Sequence, residues 1–259
     1  MNDEFAACVA SARALVAEFV EEGIEQFAQL SDAEFVARPQ PPESTLSSTP
    51  AALPVSAERT PPSPPAANEA APALPLSLEQ VRSELGECTR CRLCEGRNQI
   101  VFGDGNPDAA LMFIGEGPGK EEDQSGLPFV GSAGKLLTRM IEGGLAIPRS
   151  QVYICNIIKC RPPKNRDPKP DEMAACRPFL DGQIDAVRPK VIVTLGRPAT
   201  SLLLGRDVAI SKMRGTWQTY RGIPLMPTFH PAYLLRQYTP ENRRCVWEDL
   251  KSALARSRE

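Results

Sequence analysis

Residues 39–75 hold 11 prolines in 37 positions, and nothing else in the chain restricts its folding so strongly. Proline has a fixed φ and no N–H to donate, so a segment of this density builds neither helix interior nor sheet. It reads as an extended tether. The 259 residues therefore divide into an N-terminal extension over 1–38, a linker over 39–76 and a folded domain over 77–259. In the extension, Phe5, Val9, Leu15, Val16, Phe19, Val20, Ile24 and Phe27 recur near a 3.6-residue period, which predicts one or two amphipathic helices. Ser77-Leu-Glu-Gln80 has the form of a capped helix start and opens the domain.

Charge follows the same division. Residues 1–38 carry eight acids and two bases, whereas residues 76–259 carry 27 bases and 21 acids. The net charge of -2 thus conceals a basic body, compatible with a polyanionic partner. A protein partner for the acidic extension is an open expectation. No run of 18 apolar residues is present, so no membrane span is expected. The N-terminus MNDEFAACVA lacks the basic start and apolar stretch of a secretory signal. A reducing, cytoplasmic setting is expected, in which the eight cysteines favour metal or cluster ligation over disulfides.

Within the domain, four apolar runs at 110–114, 152–157, 191–195 and 224–229 alternate with helical patterns at 134–143, 171–186, 198–204 and 241–255. This alternation predicts an α/β fold with a parallel sheet covered on both faces. Ligands of such sheets bind beyond the carboxyl ends of the strands, so functional motifs should follow the runs directly.

They do after three of the four. After the first run comes Gly115-Glu116-Gly117-Pro118-Gly119, then Lys120-Glu121-Glu122-Asp123. Its glycines permit close backbone approach to a ligand, but match neither a dinucleotide fingerprint nor a P-loop. Taken alone, the glycines are better explained by a tight strand–helix turn. Phe129 stands between glycines in Gly126-Leu-Pro-Phe-Val-Gly-Ser-Ala-Gly134, as a ring that stacks on a base or as a loop anchor. After the second run, Asn156 has the donors and acceptor to read a base edge, or serves the turn. The basic, proline-rich Lys159–Arg166 loop behind it suits phosphates. After the fourth run stands His230, the only histidine, followed by Tyr233-Leu234-Leu235-Arg236, which has the makings of a duplex wedge. Cys88, Cys91, Cys160 and Cys176 form a C-x2-C…C-x15-C set. Four thiolates suit zinc or an iron–sulfur cluster, and Cys94 adds a further C-x2-C with Cys91.

GEGPGKEED, GLPFVGSAG, NIIKCRPPKNRDP and HPAYLLR, in this order and with these cysteines, closely resemble the family 4 uracil-DNA glycosylases over residues 78–255. The resemblance implies a three-layer α/β/α sandwich around a four-stranded parallel sheet. It implies a [4Fe–4S] cluster on Cys88, Cys91, Cys160 and Cys176, with Cys94 outside the ligand pattern. Glu116 and Gly117 would line the uracil pocket and the reacting sugar carbon, Phe129 would stack on uracil, and Asn156 would read its edge. His230 would donate to uracil O2, Asn165 would line the site, and Glu122 matches a carboxylate implicated in activity. Leu234, Leu235 and Arg236 would fill or support the gap left by a flipped nucleotide. The expected partner is uracil-containing DNA, met by a monomer. A covalently trapping relative of this family uses a histidine in the basic loop, and residues 159–176 contain none. A zinc-bound, non-enzymatic nucleic-acid module explains the cysteines and the charge, but not Phe129, Asn156 and His230 recurring at strand ends.

Overall fold

The computed structural model describes residues 76–259. The expected helical extension at 1–38, and all but the last residue of the linker at 39–76, lie outside the described residues. The first helix, α1 (Leu78–Leu85), begins where its sequence predicts. Ser77 Oγ accepts from the Gln80 N–H, and the Gln80 side chain accepts from the Ser77 N–H, a reciprocal capping box.

Six strands follow in the chain: β1 (Asp104–Gly105), β2 (Leu111–Gly115), β3 (Tyr153–Asn156), β4 (Val191–Leu195), β5 (Gln218–Tyr220) and β6 (Ile223–Thr228). They form one sheet in the order β1-β3-β2-β4-β6-β5. The β2–β3, β2–β4 and β4–β6 pairs are parallel, while β1 and β5 pair antiparallel at the two edges. The expectation of a four-stranded, wholly parallel sheet is therefore corrected: the sheet is six-stranded and mixed. The physical reason is length. β1 and β5 have two and three residues, too few to display a period of two, and short edge strands are a usual way to blunt a sheet edge. β5 and β6 form a hairpin through Arg221 and Gly222, both at positive φ (50° and 83°), as a two-residue type I′ turn requires.

Helices between the strands are α2 (Lys120–Ser125), α3 (Ser132–Arg139), α4 (Pro170–Val187), α5 (Arg197–Leu204) and α6 (Ile210–Met213), and α7 (Pro231–Arg236) and α8 (Pro240–Ser257) follow the last strand. The short α2, α6 and α7 are too brief to show a helical period. Every residue of β2 is buried, and alternate side chains serve opposite faces. Met112 and Ile114 join Leu180 and Ile184 of α4 and Leu203 of α5 on one side. Leu111 and Phe113 join Leu136 and Leu137 of α3 and Val246 and Leu250 of α8 on the other. Each such large apolar side chain contributes roughly 1.5–3 kcal/mol on burial. Continuous apolar runs rather than alternating ones mark strands covered on both faces.

The parallel register aligns the carboxyl ends. Gly115 lies opposite Asn156, and Leu195 opposite Thr228. The turns leaving these strands share one end of the sheet.

Candidate active site

Gly115, the last residue of β2, shows how tightly that end is built. A Cβ there would stand 2.5 Å from Asn156 Oδ1 and 2.5 Å from Phe129 Cζ. An amide from β3 and a ring from the loop after α2 therefore meet over a glycine. Asn156 is buried, and its Oδ1 is the one buried side-chain nitrogen or oxygen without a hydrogen-bond partner among the described residues. An orphaned acceptor costs about 1–3 kcal/mol and recovers it when a donor arrives. Lys159 holds the adjoining backbone. It is fully buried, and its ammonium donates to the Asn156 carbonyl (2.7 Å) and to Gln183 Oε1 (2.5 Å). Burial pushes its pKa down.

The Phe129 ring is held over the pocket by a strained backbone. Phe129 lies at φ 53°, a left-handed conformation costing an ordinary residue about 1–2 kcal/mol. A Cβ on Gly134 would fall 2.0 Å from the Phe129 carbonyl oxygen, so glycine is needed there for close approach. Glu122 supplies the cross-tie. Its Oε2 accepts from the Gly119 N–H (3.0 Å), and its Oε1 accepts from the Val130 and Gly131 N–H groups (both 2.9 Å). The buried carboxylate thus joins the glycine-rich turn to the phenylalanine loop. Beside it, the buried Asp123 accepts from the Asn98 backbone N–H (2.9 Å) and from the Asn98 side-chain amide (2.5 Å), tying the segment after the first cysteines to the same helix.

His230 enters from beyond β6. Its ring centroid lies 5.6 Å from that of Phe129, with planes at 33°. It caps α7 as Nδ1 accepts from the Ala232 N–H (3.1 Å). Gly196, at φ 90°, makes room for it, since a Cβ there would lie 3.1 Å from the His230 Cβ. Burial, and then the charge of Arg236, lower the His230 pKa to about 4. At neutral pH the imidazole is uncharged, and an accepting Nδ1 leaves its proton on Nε2.

Glu116 follows Gly115 directly. Burial, reinforced by Asp167 and opposed by Arg197, pushes its carboxyl up to about 7. Gly117 is packed by Ile158, whose side chain a Cβ would meet at 2.8 Å. Phe129, Asn156, Glu116 and His230 thus belong to loops at one end of the sheet. Of the expected wedge, Leu235 is 43% exposed and Arg236 is exposed, whereas Leu234 is wholly buried in the core. Asn165 is exposed, and its Oδ1 accepts from Arg161 Nε at 2.8 Å.

The four expected ligand cysteines neighbour one another. Cys160 and Cys176 are buried, and Cys88 and Cys91 partly so. Burial pushes the Cys91, Cys160 and Cys176 thiols up, Cys160 to about 11, and their neighbours add to it: Cys88 acts on Cys91, Cys176 and Cys91 act on Cys160, and Cys91 and Cys88 act on Cys176. Hydrogen-bond donors point at two of the sulfurs. Arg97 Nη1 lies 3.5 Å from Cys160 Sγ, and the Lys159 backbone N–H donates to Cys176. Such donors favour thiolates that ligate a metal centre. Among the described residues, no three His, Cys, Asp or Glu side chains close around one point to hold a single metal ion.

The sequence places Gly115 and Asp123 only within longer motifs and Lys159 at the head of the phosphate-suited loop; Lys159 is instead fully buried and bonded to the Asn156 carbonyl and Gln183, and Arg97 belongs to no motif.

Comparison with known proteins agrees with this geometry. Residues 102–251 match the model of the uracil DNA glycosylase superfamily. The chain is 49% identical over 181 residues to a type-4 uracil-DNA glycosylase of Thermotoga maritima, covering 68% of this chain and 92% of that protein. It is 48% identical over 183 residues to one of Sulfurisphaera tokodaii, covering 68% and 82%. It is 39% identical over 183 residues to one of Archaeoglobus fulgidus, covering 68% and 90%. With most of each relative's length covered at such identity, the chain belongs to the type-4 uracil-DNA glycosylases.

Proposed function

We propose that this chain flips uracil out of DNA and hydrolyses its N-glycosidic bond, leaving an abasic site and free uracil. The observation that carries the reading is the orphaned Asn156 Oδ1 beside the Phe129 ring. Uracil presents an N3–H that this oxygen accepts, and a planar face for the ring. Cytosine has no N3–H and would leave the oxygen unpaired, so it is rejected. Flipping costs a few kcal/mol, offset by the pocket and by a wedge. Leu235 and Arg236 are the exposed parts of that wedge, and the buried Leu234 anchors it.

Bond cleavage places negative charge on the departing uracil. The neutral imidazole of His230, with its proton on Nε2, donates to uracil O2 where that charge develops. Of the two candidate carboxylates, Glu122 is committed to three backbone N–H groups and acts by positioning. Glu116, with its pKa near 7, is the group suited to take a proton from water. Gly117 keeps the wall beside it thin. Asn165, bonded to Arg161, shapes the basic loop rather than the pocket floor.

Cys88, Cys91, Cys160 and Cys176 would hold a [4Fe–4S] cluster. Thiols that neighbour one another and two donors aimed at sulfur support a metal group on these four cysteines. When bound, the cluster supplies a cross-link between the two ends of the basic loop; uracil excision transfers no electrons. The domain acts as a monomer, and the acidic extension is dispensable for excision.

A cleavage assay on a uracil-containing oligonucleotide, with thymine and hypoxanthine controls, tests the reading. Uracil strands should become alkali-labile and thymine strands should not. Failure on uracil in both single and double strands overturns it.

A further inference from the structure

The conformation of Phe129 is set from both sides, and the second support comes from a residue outside every motif. φ and ψ of Phe129 are the rotations of the two peptide planes that flank it, and each plane is rigid. The preceding plane carries the Pro128 carbonyl, which accepts from Arg149 Nη2 at 2.8 Å. The following plane carries the Val130 N–H, which donates to Glu122. Fixing both fixes the residue between them at its positive φ. Arg149 is held in turn, because its Nη1 donates to Thr138 Oγ1 on α3 at 2.9 Å. The planar guanidinium fork reaches both oxygens at once, which an ammonium does not. Support is needed here because this flank of the loop borders an open cleft lined by Phe129, Val130, Lys135, Thr138 and Arg149. A left-handed residue beside open space relaxes unless its surroundings over-determine it.

We propose that Arg149 is a positioning residue for uracil excision, holding Phe129 in its strained stacking conformation through the Pro128 carbonyl. The inference rests on the reading of Phe129 as the ring that stacks on uracil. Arg149 reaches Phe129 through the Pro128 carbonyl, so on this inference its effect passes through Phe129 alone. Single-turnover cleavage of uracil-containing duplex, inhibition by free uracil and binding to abasic-site duplex should be measured for Arg149→Gln, Arg149→Lys, Phe129→Leu and the Arg149→Gln/Phe129→Leu pair. Arg149→Gln should slow cleavage and weaken uracil inhibition about tenfold, while abasic-site binding stays within about twofold. Arg149→Lys should recover part of the loss. On the Phe129→Leu background, Arg149→Gln should add almost nothing.

Full additivity of the two substitutions, or a loss confined to abasic-site binding, overturns the inference. Thr138→Val, which removes only the outer anchor, keeps the question open to measurement should Arg149→Gln fail to fold. It should weaken uracil inhibition in the same direction by a smaller factor, and an unchanged value counts against the proposal. A parent protein inert on uracil would instead sink the functional reading itself.

Discussion

The imidazole of His230 and the ring of Phe129 lie 5.6 Å apart at 33°, although one follows the last strand and the other a loop between two helices. Their neighbour Asn156 leaves one buried oxygen unpartnered. A ring, an imidazole and an unpartnered amide oxygen, each from a different part of the chain, are thus gathered at one end of the sheet.

His230→Ala removes the proposed donor to the departing uracil. By analogy with an oxyanion-site donor, the loss is ~3–4 kcal/mol of transition-state stabilisation. Single-turnover cleavage should fall by about two to three orders of magnitude, with little change in binding to duplex carrying an uncleavable uracil analogue. Equal rates for variant and parent would refute the role.

Gly115→Ala places a methyl group 2.5 Å from both Asn156 Oδ1 and Phe129 Cζ. Excision should be lost with the fold retained, measured as cleavage beside thermal denaturation. An active alanine variant would show that the base does not lie there.

Glu116 predicts the pH profile. Its carboxyl is raised from 4.5 to about 7 in the folded protein, so below pH 7 it is protonated and unable to act as a base. The cleavage rate should rise through pH 7, and Glu116→Gln should flatten that limb. The same shift bears on stability. The folded state binds the proton more tightly than the unfolded chain, so stability declines as pH rises from about 4.5 to about 7, and Glu116→Gln removes that decline. His230 runs the other way. Its pKa is lowered from 6.5 to about 4, so its contribution is present above pH 6.5 and is lost as pH falls toward 4. Urea unfolding at several pH values separates the two.

Cys160→Ser and Cys176→Ser should each strip iron and sulfide from anaerobically purified protein, together with its brown absorption near 400 nm. A colourless parent with stoichiometric zinc would replace the cluster with a single metal.

Asp123→Asn weakens a buried carboxylate pair to Asn98 at a cost of about 1–3 kcal/mol. The denaturation midpoint should fall, and a ferrous chelator should extract iron faster than from the parent. An unchanged extraction rate would mean that the cysteine arm does not depend on α2.

Local chemistry made much of this legible. The β2, β3, β4 and β6 strands are predominantly apolar runs, so their existence needs only the pattern of residues, and His230, Asn156 and Glu116 stand out because each lies at or just beyond the end of such a run. Edge strands β1 and β5 were invisible because two or three residues carry no period. Glu122 shows the harder limit. From its position it is a candidate catalytic carboxylate; its bond to the Gly119 N–H is a local helix cap, but its bonds to Val130 and Gly131 join a segment that only the folded chain brings against it. Leu234 and Leu235 are adjacent and chemically identical, and helix phase alone sends one to the core and the other to solvent. The sequence by itself determined the strand runs, the capped helix start and the residue types the chemistry requires, because those depend on covalent neighbours. Which carboxylate stays free, how Phe129 is strained and which thiols neighbour one another were decided by tertiary structure, because hydrogen bonding and burial act between residues distant along the chain.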